Sequence, residues 1–195
     1  ELGFIVLQLE GSSNPLRTKQ FHDMSYGNMA TNTLPDQIAA IRQLAAARPY
    51  IDTNKVGIWG HSGGGFATAA AMFKYPDFFK VGIAESGNHD NRNYEADWGE
   101  RYNGLVGNAD YASQANELYA GRLKGKLLLA HGLMDDNVPP SNTMLVVEAL
   151  EKAGKDFDLV VFPNSHHGYG ENSNYMMRRR WDYFVRNLMG KETPK

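Results

Sequence analysis

The chain has 195 residues, 42% of them apolar and 22% charged, with a formal net charge of −2. That length and mix suit one globular domain with a real core, and exclude a disordered chain, a collagen-like chain and a coiled coil. The charge gives no general pull toward nucleic acid or anionic lipid, no apolar run approaches the roughly 18 residues of a membrane span, and the lack of cysteine removes disulfides, thiolate zinc sites and cysteine nucleophiles.

The chain opens on Glu1 and runs at once into Gly3-Phe4-Ile5-Val6-Leu7-Gln8-Leu9-Glu10-Gly11. An apolar run between glycines is the pattern of a buried strand, so 3–10 is expected to be one. So abrupt a start leads us to expect a longer parent chain. Leu34, Ile38, Ile41 and Ala45 then mark one face of a helix, with Pro35 where a first turn tolerates it and Asp36 near the positive helix end. A strand is expected at 55–60, then a small-residue helix from Ala67 to Phe73, then a strand at 80–86. Residues 87–125 are rich in Asn, Tyr, Trp and Gly, and connections of that size are often functional. A strand at 126–131 precedes a helical face of Val146, Ala149, Leu150 and Ala153, closed by Gly154. After a strand at 157–162, Met177, Trp181, Phe184, Val185 and Leu188 mark the last helix. Arg178, Arg179 and Arg180 fall mostly off that face and read as solvated rather than as a phosphate or nucleic-acid patch. Strands alternating with helices predict an α/β fold, a mostly parallel sheet covered on both faces.

The strongest motif is Gly60-His61-Ser62-Gly63-Gly64, a G-x-S-x-G between a strand and a helix. That context suits a nucleophilic serine on a sharp, strained turn, with helix N–H groups aimed at a developing oxyanion. A phosphate-binding loop fits poorly, because neither G-K-[ST] nor G-x-G-x-x-G is present. A nucleophilic serine needs a base and a carboxylate to orient it, in the chain order Ser, Asp or Glu, His. The fourth expected strand ends in His131-Gly132-Leu133-Met134-Asp135-Asp136-Asn137-Val138-Pro139, and the fifth in Asn164-Ser165-His166-His167-Gly168. Each pair alone is weak evidence; their joint placement past two strand ends carries the reading. A metal site combining His166 and His167 with His89 or Asp90 is a minor alternative, since no tight ligand spacing supports it.

Val56–Ala67 around the serine, Tyr94–Gly104, His131–Pro139 and Ser165–Gly170 resemble the catalytic domain of the prolyl oligopeptidase family of serine peptidases, especially its dipeptidyl peptidase IV branch. The resemblance spans essentially the whole chain. It implies an α/β-hydrolase fold and a triad of Ser62, Asp135 and His167, with Asp136 and His166 as fallbacks. It also implies an oxyanion donor at the Gly63 N–H, a carbonyl contact from Asn137, and an S1 pocket lined by Tyr94, Trp98 and Val138. Asn88 and Asn91 stand where that branch has larger apolar groups, which implies a wider, more polar S1. No cofactor and no metal are implied.

The family's tyrosine oxyanion donor and its β-propeller would both lie upstream of residue 1. On that fold one strand sits between segments 3–10 and 55–60, so these two would face a gap in this chain. The implied partner is a peptide substrate. The family is often dimeric through this domain, and often periplasmic, secreted or membrane-anchored. An esterase on the same fold, or a catalytically silent interaction domain, are the competing readings.

Overall fold

The structure is a computed structural model and describes residues 2–14, 16–31 and 33–193. Four strands, β1 (Val56–His61), β2 (Phe79–Glu85), β3 (Lys126–Gly132) and β4 (Asp158–Phe162), form one parallel sheet in that order. Each lies within one residue of its expected bounds. The described residues also form the helices α1 (Lys19–His22), α2 (Leu34–Ala47), α3 (Gly63–Lys74), α4 (Ala96–Asn103), α5 (Ser141–Lys152) and α6 (Ser173–Phe184).

The two central strands, β2 and β3, are buried on both sides. Leu127 and Leu129 face a core with Ala69, Phe73, Val146 and Leu150 from α3 and α5. Leu128 and Ala130 face a second core with Met176 and Tyr183 from α6. A strand covered on both faces needs apolar residues at every step, which explains the unbroken Leu-Leu-Leu-Ala run in β3. Each fully buried leucine contributes about 2 kcal/mol of transfer free energy. The end of α5 is a Schellman motif. Gly154 takes φ +62°, its N–H donates to Glu151 O at 3.0 Å, and the Lys155 N–H donates to Leu150 O at 2.9 Å.

Three expectations are corrected. Residues 3–10 form no strand. An extended segment needs a ladder partner, and among the described residues β1 pairs with β2 alone. Phe4 still packs edge-on against Phe184, with ring centroids 6.2 Å apart, but Val6 is 88% exposed. The last helix buries Met176, Tyr183, Val185 and Leu188 rather than Met177 and Trp181, which stay exposed. A π-helical turn at Val185–Met189 shifts the buried face there. Finally, Arg180 is not solvated. Its guanidinium pairs with buried Glu85 at 2.8 Å and lies 4.1 Å from the Trp59 ring centroid.

Residues 87–125 are an ordered segment built from α4 and 3₁₀ turns. Asn116 fastens it to α3: its Nδ2 donates to Phe66 O at 2.9 Å and to His89 Nδ1 at 3.0 Å. His89 is fully buried, and burial holds its imidazole down at about 3, against 6.5 ordinarily. Below pH 6.5 the unfolded chain therefore binds a proton that the folded chain refuses. Stability should fall by about 1.4 kcal/mol per pH unit as pH drops from 6.5 toward 3. Unfolding free energies from urea titrations should begin to fall near pH 6.5 and approach this slope by pH 5, and His89→Gln should flatten it by one proton's worth.

Candidate active site

Ser62 sits between β1 and α3 with φ +60° and ψ −123°, a conformation a residue with a Cβ adopts only when its surroundings impose it. The turn is held by backbone bonds. The Ser62 N–H donates to Glu85 O at 2.8 Å, and the Phe66 N–H donates to Ser62 O at 3.0 Å. Two glycines make this turn sterically possible. A Cβ on Gly60 would lie 2.3 Å from Gly64 O, and one on Gly65 would lie 2.4 Å from Glu85 O. Gly63 and Gly64 face open space, so the second glycine of the motif is needed for its backbone position rather than for its own lack of a side chain. Gly63 begins α3, where the first N–H groups have no partner within the helix.

The loops after β3 and β4 bring Asp135 and His167 together. Asp135 is buried. Its Oδ2 accepts from His167 Nδ1 at 2.7 Å, and its Oδ1 accepts from the N–H groups of Asn137 and Val138 at 3.0 and 2.9 Å. The two loops are locked to one another. Leu133 N–H donates to Phe162 O at 2.9 Å and Met134 N–H to Ser165 O at 3.0 Å. A Cβ on Gly132 would fall 2.2 Å from Ser165 O, so the crossing requires glycine. His61, just before the serine, donates from Nε2 to His167 O at 2.6 Å and meets the His167 ring edge-on, centroids 4.5 Å apart. Buried Tyr169 turns the chain at φ +59°, and its hydroxyl lies 3.3 Å from both Ser86 Oγ and Ala130 O. Burial pushes that phenol far above its ordinary range.

Close by, the Tyr94 hydroxyl donates to Asn137 Oδ1 at 2.8 Å, and Tyr94 and Trp98 stack edge-on at 5.4 Å. Val138 is fully buried. Asn88 and Asn91 are buried too, and the Asn88 amide donates to Asn91 Oδ1 at 2.6 Å.

The sequence model of the prolyl oligopeptidase family matches residues 1–191. The chain belongs to the prolyl oligopeptidase family. It is 31% identical over 174 residues to dipeptidyl peptidase family member 1 of Caenorhabditis elegans, covering 88% of this chain and 22% of that protein. It superposes on dipeptidyl peptidase 4 of Porphyromonas gingivalis with a TM-score of 0.85 and 32% identity, covering 92% of this chain and 26% of that one. The acylaminoacyl peptidase of Pyrococcus horikoshii shares the fold, with a TM-score of 0.81 at 22% identity over 95% of this chain and 32% of that one. The fold is thus that of the α/β hydrolases. The chain spans about a fifth of the length of the curated relatives it matches.

Of the three residues expected to act together, His167 is bonded to Asp135 and Ser62 sits on the turn between β1 and α3. The fallbacks stand apart: Asp136 and His166 face each other at 3.5 Å in solvent, with side chains 79% and 63% exposed. Among the described residues no three His, Cys, Asp or Glu side chains come together as a metal site. Sequence reasoning gave no role to His61, Gly132 or Tyr169, nor to His131, which also touches Asp135. For His131 a signal was present: a histidine inside an apolar strand, four residues before the acid.

Proposed function

We propose that this chain is the catalytic domain of a serine peptidase that removes dipeptides from free N-termini through an acyl-enzyme. The observation that carries this is the 2.7 Å bond from His167 Nδ1 to buried Asp135, set beside a serine held at φ +60°. With Nδ1 committed to Asp135, Nε2 is left as the base. It takes the Ser62 proton as Oγ bonds to the substrate carbonyl carbon. The Gly63 N–H meets the oxyanion. The C–N bond then breaks, and the leaving amine takes the proton from His167. Water repeats the sequence on the ester, and His167 first accepts and then returns the proton. Asp135 holds the imidazole in one tautomer and stabilises the imidazolium.

Asn137 is the donor for a substrate carbonyl, because its side chain is exposed and its Oδ1 already accepts from Tyr94. Tyr94 and Trp98 line S1, and buried Val138, Asn88 and Asn91 act through its wall rather than by touching substrate; the pocket takes proline, alanine or a larger residue. In the full-length protein, further chain extends the sheet beyond the unpaired edge of β1. It also brings a second oxyanion donor and a β-propeller whose acidic groups hold the substrate amine.

The test compares initial rates of the full-length protein and its Ser62→Ala variant on three probes. These are free-amino Xaa-Pro and Xaa-Ala anilides, the same anilides N-acetylated, and a simple acetyl ester. Serine-dependent cleavage confined to the free-amino anilides is the expected result. Ester cleavage without anilide cleavage would replace the peptidase reading with an esterase.

A further inference from the structure

The triad acid receives two imidazoles, not one. His131, at the end of β3, is fully buried, and its Nε2 lies 3.1 Å from Asp135 Oδ2 and 3.0 Å from Val138 O. Both of those oxygens only accept, so Nε2 carries the proton. Its Nδ1 lies 2.7 Å from the hydroxyl of Thr143, itself buried, which donates to it. Both ring nitrogens are therefore assigned, and burial keeps the ring below its usual range and neutral.

Asp135 thus has four donors: two backbone N–H groups on Oδ1, and the imidazoles of His131 and His167 on Oδ2. We propose that His131 is a positioning residue of the triad. Its Nε2–H occupies one side of Asp135 Oδ2, so the remaining lone pair is aimed at His167. This rests on the triad reading above.

Two consequences follow from the shared oxygen. The carboxylate cannot rotate, because each oxygen is held by a partner other than His167. Its negative charge is also divided between two donors, so it draws the His167 proton less strongly than an otherwise unshared carboxylate would. Removing the His131 N–H should make Asp135 a stronger acceptor toward His167 and raise the basicity of that imidazole. His61 on β1 meets the His167 ring edge-on, and Tyr169 in turn meets His61. Behind these lie Glu85 and Arg180, which pair with each other. None of these changes in the test below.

The experiment measures kcat, KM and the pH dependence of kcat/KM for full-length protein carrying His131→Leu, His131→Gln or His131→Asn, with Ser62→Ala alongside. Leucine removes the donor. Glutamine places an amide N–H near the position of Nε2. Asparagine is polar but too short to reach Asp135. The leucine and asparagine proteins should lose kcat by roughly ten- to a hundredfold, as a misplaced catalytic group does, with little change in KM. Their acid limb should move to higher pH than the wild type's, and glutamine should restore both the rate and the limb.

A wild-type rate and limb in the leucine or asparagine protein would overturn the proposal. So would equal impairment of all three with an unmoved limb, or failure of all three to fold, since His131 would then serve the fold alone. If Ser62→Ala itself retains activity, the triad reading fails and this inference fails with it. An inactive Ser62→Ala protein with normal His131 variants defeats this inference only.

Discussion

Ser62→Ala is expected to lower kcat by about 10⁶-fold, the loss seen when the nucleophile of a serine triad is removed. The elbow should survive the change. Alanine keeps the Cβ, and the turn is fixed by the Ser62 N–H to Glu85 O bond and the Phe66 N–H to Ser62 O bond, which involve no side chain. The melting temperature and far-ultraviolet circular dichroism should therefore match those of the wild type while turnover disappears. His167 and Asp135 would remain paired, ready to polarise a water but with no oxygen nucleophile placed at the scissile carbon. A residual rate within tenfold of wild type would move the nucleophile elsewhere and undo the mechanism.

The second largest effect is expected at Asp135. Asp135→Asn should cost about 10⁴ in kcat, through the wrong imidazole tautomer. The carboxylate accepts on both oxygens, from two backbone N–H groups on one side and two imidazoles on the other. An asparagine amide can accept on only one of those sides. If its oxygen stays with the backbone, its NH₂ faces His131 and His167, and His167 must move its proton to Nε2 to relieve the clash. The base is then blocked by its own proton. If the amide flips, the Asn137 and Val138 N–H groups lose their acceptor. Either arrangement also costs stability, about 1–3 kcal/mol for buried donors left without partners. Steady-state kinetics with urea midpoints on the same samples check both effects. Asp136→Asn is the control: that carboxylate lies in solvent, and kcat should stay near wild type.

Much of the fold was legible because its signals are local. Short apolar runs marked the four strands, and Gly154 marked the end of α5. The elbow was legible because Gly60 and Gly65 are forced by backbone contacts that any chain making this turn must respect. What was not legible depends on partners far away in sequence. Segment 3–10 has strand composition but no strand beside it. Trp181 has the right spacing for a buried face, yet the π turn that follows rotates the helix. Arg180 looked like one of three solvated charges. Only the folded chain shows Glu85 behind it, 95 residues earlier, buried and in need of a counter-ion. His131 was hidden by its surroundings, since a histidine in an apolar strand passes for a core residue until the carboxylate beside it is seen.

The crossing at Gly132 couples two loops that lie far apart in sequence. The loops bearing acid and base touch backbone to backbone there, and lengthening either would pull the other out of place. The two loops are mechanically one unit. The segment between β2 and β3, which carries Asn88, Asn91, Tyr94 and Trp98, is anchored on α3 through Asn116 and touches that unit where Tyr94 donates to Asn137. A change in that segment therefore reaches the paired loops through the Tyr94–Asn137 contact.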